Sequence, residues 1–249
     1  MHNRESDKSP LHNNKDFQTT QWSLILHAAQ HESPESQAAL AALCEAYWFP
    51  LYAYARRRTK DQHTAQDLTQ GFFAHLLDKR TLAKTDSKRG RFRSFLLTAF
   101  KNYMANEWHK AHSEKRGGHR QTVSLDFTRG ETRFRIEPAI SVSPDRAFDR
   151  QWVMTVLDRV LDQLRKELCD RGQADAFEEL KGTLTEQTTA SQYQSIAQKL
   201  DMTPAGAKQA AYRLRQRYRQ LFRDEVSRTV ADESEMEDEI SGLLAALAE

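Results

Sequence analysis

The sequence predicts an all-α protein of two helical domains joined by a linker. Three observations carry that expectation. Apolar residues recur at three- and four-residue intervals along most of the chain, the spacing of one face of a helix. Alternation of the kind a strand needs is confined to "TVSLDF", too short to build a sheet alone. The helical periodicity breaks between residues 114 and 142. It restarts at Ser143-Pro144, a capping residue followed by proline at the first helical position.

Each element follows from its own residues. Residues 17–30 (FQTTQWSLILHAAQ) predict a short helix after a Thr19/Thr20 cap. Leu40, Leu43, Cys44 and Tyr47 keep helical spacing, and Pro50 is expected to kink or restart the chain there. A helix over about 64–78 presents Ala65, Leu68, Phe72, Phe73, Leu76 and Leu77 as one broad stripe. "DKRTLAKTDSKRGR" is polar and basic and reads as a loop. Phe92, Phe95, Leu96, Ala99, Phe100, Tyr103 and Trp108 sustain the next helix, and the first domain is expected to span 17–113. Residues 114–142, opening on the turn signal "KRGG", read as a linker with local extended structure. After Ser143-Pro144 come Phe148, Trp152, Val156, Val160, Leu164 and Leu168, closed by Gly172. A helix over 173–181, a loop "TLTEQTTAS" and a pair of helices complete a second domain, 143–228. Residues 229–249 form an acidic extension ending in a small helix with Ile240, Leu243, Leu244 and Leu247 on one face.

Composition narrows the function classes. With 249 residues, 39% of them hydrophobic, and a mean hydropathy of −0.78, the chain can bury a core, expected to be divided, under much polar surface. No apolar run is long enough to cross a bilayer, and "MHNRESDKSP" lacks a signal-peptide core, so a cytoplasmic protein is expected. Cys44 and Cys169 have no metal-ligand spacing and read as reduced, buried thiols. The net charge is only +2 but unevenly spread. From Tyr193 to Arg223 there are seven Lys or Arg against one acid, Asp201; from Asp232 to Glu249 there are seven acids and no base. That asymmetry fits a nucleic-acid surface beside an acidic tail, and equally a solvated helix face with a solubilising tail.

The stretch "QKLDMTPAGAKQAAYRLRQRYRQ" resolves part of that choice. Tyr193, Ile196, Ala197 and Leu200 define a first helix, and Asp201-Met202 the turn. Asp201 tolerates the left-handed backbone a tight turn requires. Thr203 is placed to cap a second helix and Pro204 to open it. Ala207, Ala211, Leu214, Tyr218 and Leu221 face inward, the small alanines permitting close crossing. An ordinary helical hairpin has the same periodicity. The cap, the short turn and the basic excess favour a helix-turn-helix over 193–217 whose second helix enters a major groove. Its candidate DNA residues are Thr203, Lys208, Gln209, Tyr212, Arg213 and Arg215, since Arg bonds guanine, Gln adenine, and Lys or Arg phosphates.

The N-terminal half adds a resemblance. "YWFPLYAYARRRTKDQHTAQDLTQGFFAHLL" and "RGRFRSFLLTAFKNYMANEWHKAHSEKR" resemble region two of bacterial RNA polymerase sigma factors of the extracytoplasmic-function type. "YQSIAQKLDMTPAGAKQAAYRLRQRYRQLFRDE" resembles their region four. The matches run over roughly 65–110 and 190–225, in the family's order and with a linker between. The resemblance implies a subunit that joins polymerase core, directs it to a promoter and helps melt the duplex. It implies docking on the polymerase clamp through Asp67, Leu68 and Gln70, with Phe73 bordering that surface. It implies capture of a flipped minus-ten base by the loop of about Lys84 to Arg91, with Thr85, Asp86, Ser87, Lys88 and Arg89. The next helix then carries a polar and partly basic face of Arg93, Lys101, Asn102, Asn106, His109 and Lys110 beside the DNA. The arginine-rich helix would hold the minus-thirty-five duplex. The implied partners are polymerase core and promoter DNA, with control by an anti-sigma factor left open, and no cofactor.

Two further readings accompany this one. A stand-alone helix-turn-helix regulator would bind duplex DNA with no dependence on polymerase. An enzyme acting on nucleic acid would need clustered carboxylates, a metal site, an activated nucleophile or a phosphate loop, and the sequence offers none. Tyr103 and Trp108 are candidates for base stacking, with Tyr103 more plausible as core. Arg56, Arg57 and Arg58 form a basic cluster of open role, and His109 and His112 lack further metal ligands nearby. The acidic extension is expected to fold back over the basic helix, shielding it until a partner binds, or simply to solubilise the chain.

Overall fold

A computed structural model describes residues 34–76, 91–113, 125–136, 143–230 and 232–248. The expected helix over 17–30 and nearly all of the 78–91 loop, including Thr85, Asp86, Ser87, Lys88 and Arg89, lie outside the described residues. Among the described residues there is no strand; nine α-helices and two short 3₁₀ turns account for the fold. The helices are α1 (Pro34–Thr59), α2 (Gln62–Leu76), α3 (Phe92–Ser113), α4 (Phe127–Ile136) and α5 (Pro144–Asp170). They continue as α6 (Ala174–Leu180), α7 (Ala190–Lys199), α8 (Pro204–Ser227) and α9 (Met236–Leu247).

α1 runs on through Pro50, so the chain does not restart there. Leu51, Tyr52, Ala53, Tyr54 and Ala55 are all buried, so this helix is enclosed on every side. Its packing outweighs the lost backbone bond, which costs about 3 kcal/mol or more in an open helix interior. α1 turns into α2 through Lys60 at φ 59°, and the Asp61 carboxylate accepts the Thr64 N–H at 2.7 Å to cap α2.

The expected divided core is replaced by one continuous apolar cluster. The reason is α5, a 27-residue helix of about 40 Å. It packs chiefly against α1 and also against α8 and α9. At one junction Tyr47 of α1 stacks on Trp152 of α5 at 6.1 Å and meets Phe92 of α3 edge-on at 5.4 Å. Cys44 is buried as expected, whereas Cys169 is exposed on the last turn of α5. That turn ends in a Schellman motif: Gly172 sits at φ 71°, and Gly172 and Gln173 donate to the carbonyls of Cys169 and Leu168.

The described part of the stretch read as a linker is α4, preceded by Leu125 and Asp126. Asp126 caps it through the Arg129 N–H at 3.0 Å. α4 docks on α1 by a polar and aromatic contact. Glu131 accepts two hydrogen bonds from Arg56, at 3.0 and 3.1 Å, and one from the Tyr52 hydroxyl. Phe127 packs on Trp48 and Tyr52, and Phe134 lies under the guanidinium groups of Arg56 and Arg57. Gly130 gives the approach its closeness, since a Cβ there would meet the Trp48 ring at 2.7 Å.

Candidate polymerase and nucleic-acid interface

Helix α2 divides into two faces. Ala65, Thr69, Gly71, Phe72, Phe73 and Leu76 are buried against α1 and α3. Asp67 is exposed, Leu68 and Gln70 are half-buried, and Asp67 and Gln70 share the outward side three residues apart. Phe73 does not border this surface: it is fully buried and packs on Phe72 at 5.8 Å, which makes it a core residue. Position 73 stands four residues after the buried Thr69 and three before the buried Leu76, the spacing of one helix face, so the pattern itself could have signalled the inward side.

Helix α3 starts deep in the structure and ends in solvent. Phe92, Leu96, Phe100 and Tyr103 are buried, Tyr103 packing between Phe72 at 5.7 Å and His75 at 5.6 Å. Asn102, Asn106, His109 and Lys110 are exposed on the far half, Lys110 pairing with Glu107 at 3.0 Å. Trp108 is 60% exposed and meets the His109 ring edge-on at 5.3 Å. Of the two aromatics considered for stacking, Trp108 is thus the one open to a nucleobase. Its signal in the sequence was its place off the stripe that ends at Tyr103. Arg93, read as part of the polar face, is instead buried, and Lys101 pairs with Asp145 of α5.

The α7–α8 pair forms a tight helix–turn–helix. α7 begins with a capping box in which Thr189 and Gln192 each bond the other's backbone N–H. It ends with Asp201 at φ 49° and the Met202 N–H on the Ala197 carbonyl at 3.0 Å. This is the Schellman pattern that usually takes glycine. Thr203 then caps α8 through the Gly206 N–H at 3.1 Å, with Pro204 in the first turn. Ala207 and Ala211 are fully buried, which lets α8 cross close to Ile196 and Ala197.

Lys208, Gln209, Tyr212 and Arg213 stand exposed on one side of α8, and Thr203 is exposed at its start. The row continues through Gln216 and Arg219, which the sequence reading did not select; Gln216 donates to the Tyr212 hydroxyl at 3.0 Å. Arg215 does not belong to the row. It turns back to donate to the Thr183 carbonyl at 3.1 Å and the Tyr193 hydroxyl at 3.4 Å, and that hydrogen bond, more than its charge, lowers the pKa of the tyrosine. Position 215 follows the buried Leu214, so it lies at the edge of the apolar stripe, where a long side chain reaches a neighbouring element.

The acidic segment does not cover this row. Glu237 of α9 bonds Arg223 at 2.6 Å, near the far end of α8, and Glu239 is buried against α3. Among the described residues no group of three or more His, Cys, Asp or Glu could hold a metal ion, and no helix is long and apolar enough to cross a membrane.

With this geometry in view, the comparisons with known proteins bear on one segment. Residues 43–114, covering α1 from Leu43, α2 and α3, match the Sigma-70 region 2 family. This segment, which carries the exposed Asp67 and Gln70, is thus similar to sigma-70 region 2. No curated protein and no solved structure matches the chain.

Proposed function

We propose that the chain is a sigma factor of the extracytoplasmic-function type, binding RNA polymerase core and directing it to promoters. The observation that carries the reading is the region 2 match over a domain whose α2 holds Asp67 and Gln70 on its outward side. Asp67, Leu68 and Gln70 dock on core. The exposed half of α3, with Asn102, Asn106, Trp108, His109 and Lys110, follows the opened strand: Trp108 stacks on a base while Lys110 attracts phosphate. The loop before α3, with Thr85, Asp86, Ser87, Lys88 and Arg89, captures the extruded base, which compensates for lost stacking.

Region four is the segment 143–228, and α8 enters the major groove of the upstream element. Lys208, Gln209, Tyr212 and Arg213 supply base and phosphate contacts, and the amino end of α8 at Thr203 adds a helix dipole for a phosphate. The protein performs no catalysis of its own in this reading. A stand-alone helix-turn-helix regulator remains the second reading, favoured by the complete capping and turn of α7–α8.

Co-elution with bacterial polymerase core on a sizing column separates the two. The sigma reading expects a stable complex, weakened roughly thirtyfold by Asp67→Ala with Gln70→Ala, on the order of 2 kcal/mol for two truncated interface groups. Duplex binding by the folded protein with no association with core would instead establish the regulator.

A further inference from the structure

The three arginines that end α1 belong to a larger arrangement. Tyr47 of α1 meets Phe92 of α3 at 5.4 Å and Tyr54 meets Phe100 at 6.0 Å, so α3 runs alongside α1 in the same direction. On another face of α1, Phe127 packs on Trp48 and Phe134 lies under Arg56 and Arg57, so α4 runs that way too. The three carboxyl ends therefore gather at one end of the bundle. There α1 and its turn bring Arg56, Arg57, Arg58 and Lys60, and α4 brings Arg135. Against these five bases the same segments set two acids at this end, Glu131, which is buried, and Asp61, which caps α2. Arg58 stands on the α3 side. Burial raises the pKa of Tyr54, and the charges of Lys101 on α3 and of Arg58 oppose that rise.

We propose that the end of α1, together with α4, is a second surface for the phosphate backbone of DNA, continuing the exposed row of α3. The phosphate contact is independent of the sigma reading above; its use in guiding promoter DNA past α3 rests on that reading. The levels agree. Four residues on from the Tyr54–Phe100 pair, Arg58 is level with Met104, between Asn102 and Asn106 of the row. Arg135 follows Phe134, which sits at the level of Arg56 and Arg57. Helices in contact lie about 10 Å apart, so α3 and α4 are separated by about 20 Å across α1, the reach of about six phosphates along one strand.

The chemistry favours phosphate. Planar guanidinium groups match phosphate oxygens. Glu131 accepts Arg56 at 3.0 Å and Arg135 at 3.1 Å on one carboxylate oxygen, which fixes both side chains and leaves the trio with net positive charge. The helix dipole accounts for a base in a last turn. It does not account for Arg56 and Arg57, whose guanidinium groups lie over a ring of α4, nor for Lys60, beyond the helix end. A protein partner would need exposed apolar anchors. Among the described residues the large apolar side chains left exposed are Trp108, Met154, Met202, Tyr212 and Leu244, none of them on α1 or α4.

The test uses the full chain carrying Lys208→Gln and Arg213→Gln, so that binding through α8 is weakened in every sample. Anisotropy with a short fluorescent single strand, and with the duplex of the same sequence, is followed over a salt series. The comparison adds Arg58→Gln, Lys60→Asn and Arg135→Gln, three exposed positions; Asn suits the left-handed backbone at 60. Three lost phosphate contacts should lower the salt slope by about 2 with the single strand or about 2.7 with the duplex. The form of DNA that shows the fall is the form the surface holds. Arg58→Lys with Arg135→Lys keeps both charges and should keep the slope of its background. If the triple change unfolds the chain by circular dichroism, Arg58→Gln alone, outside the α4 contact, should still lower the slope by about 0.7 to 0.9. An unchanged slope with both forms overturns the proposal; weaker association with polymerase core in its place would make the occupant an acidic protein surface. A lowered slope in a chain that never binds core refutes the sigma reading and supports the phosphate surface.

Discussion

Replacing Glu131 by Gln should loosen α4 from α1 in a pH-dependent way. Glu131 is nearly buried and accepts bonds from Arg56, Tyr52 and Arg135. The Arg56 bonds chiefly, with those of Tyr52 and Arg135, pull its pKa down to about 2 against the desolvation that raises it. A carboxyl whose folded pKa lies below its unfolded value of about 4.5 stabilises the fold above the unfolded value and loses that contribution as pH falls toward the folded one. A depression of about 2.5 units corresponds to at most about 3.4 kcal/mol at neutral pH, falling to about 1.4 kcal/mol at pH 3. Arg135 is largely exposed and Arg56 partly so, and solvent screening reduces these figures by about half. Wild type should therefore exceed Glu131→Gln by about 2 kcal/mol at pH 7 and about 1 kcal/mol at pH 3. Urea unfolding followed by tryptophan fluorescence measures both, because Trp48 lies against α4 at Phe127 and Gly130. A difference that is the same at the two pH values would refute the assignment of Glu131 as an ionised anchor.

Other outcomes follow from the same structure. Gly130→Ala should destabilise the protein by about 1–3 kcal/mol, seen as a lower Tm, because its Cβ would collide with the Trp48 ring. Burial pushes the Cys44 thiol up to about 12, so a thiol reagent at pH 8 should modify Cys169 at once and Cys44 only in denaturant. Arg213→Ala should weaken duplex binding and lower the salt slope by about 1. Arg215→Ala should leave the slope unchanged and lower the Tm, because its guanidinium bonds Thr183 and Tyr193 rather than solvent. Equal salt slopes for the two arginine variants would show that the rows on α8 are misassigned.

What the sequence made legible was what short-range chemistry decides. The Ser143 and Thr203 caps bond a backbone N–H three residues on, and Asp201 and Gly172 adopt a left-handed backbone for reasons contained in their own turns. Periodicity correctly kept Tyr103 in the core, and it placed Lys208, Gln209, Tyr212 and Arg213 off the apolar stripe of α8. The misread side of Phe73 was a local matter, whereas Pro50, Arg93 and Arg56 share one cause, which is dependence on a partner distant in sequence. Pro50 sits inside a helix because α5 and α2 enclose it. Arg93 left the polar face because its partner is Glu239, 146 positions away. Arg56, one of three consecutive arginines of open role, is held by Glu131, 75 positions away, in a stretch that carries too few apolar residues to announce a helix. A charged side chain looks the same in sequence whether it meets water, DNA or a buried carboxylate. Only the topology distinguishes them, and here it does so through α5. That helix brings the second half of the chain onto α1, and it turns two of the most ordinary signals in the sequence, a glutamate in an acidic tail and an arginine at a helix start, into a single buried contact.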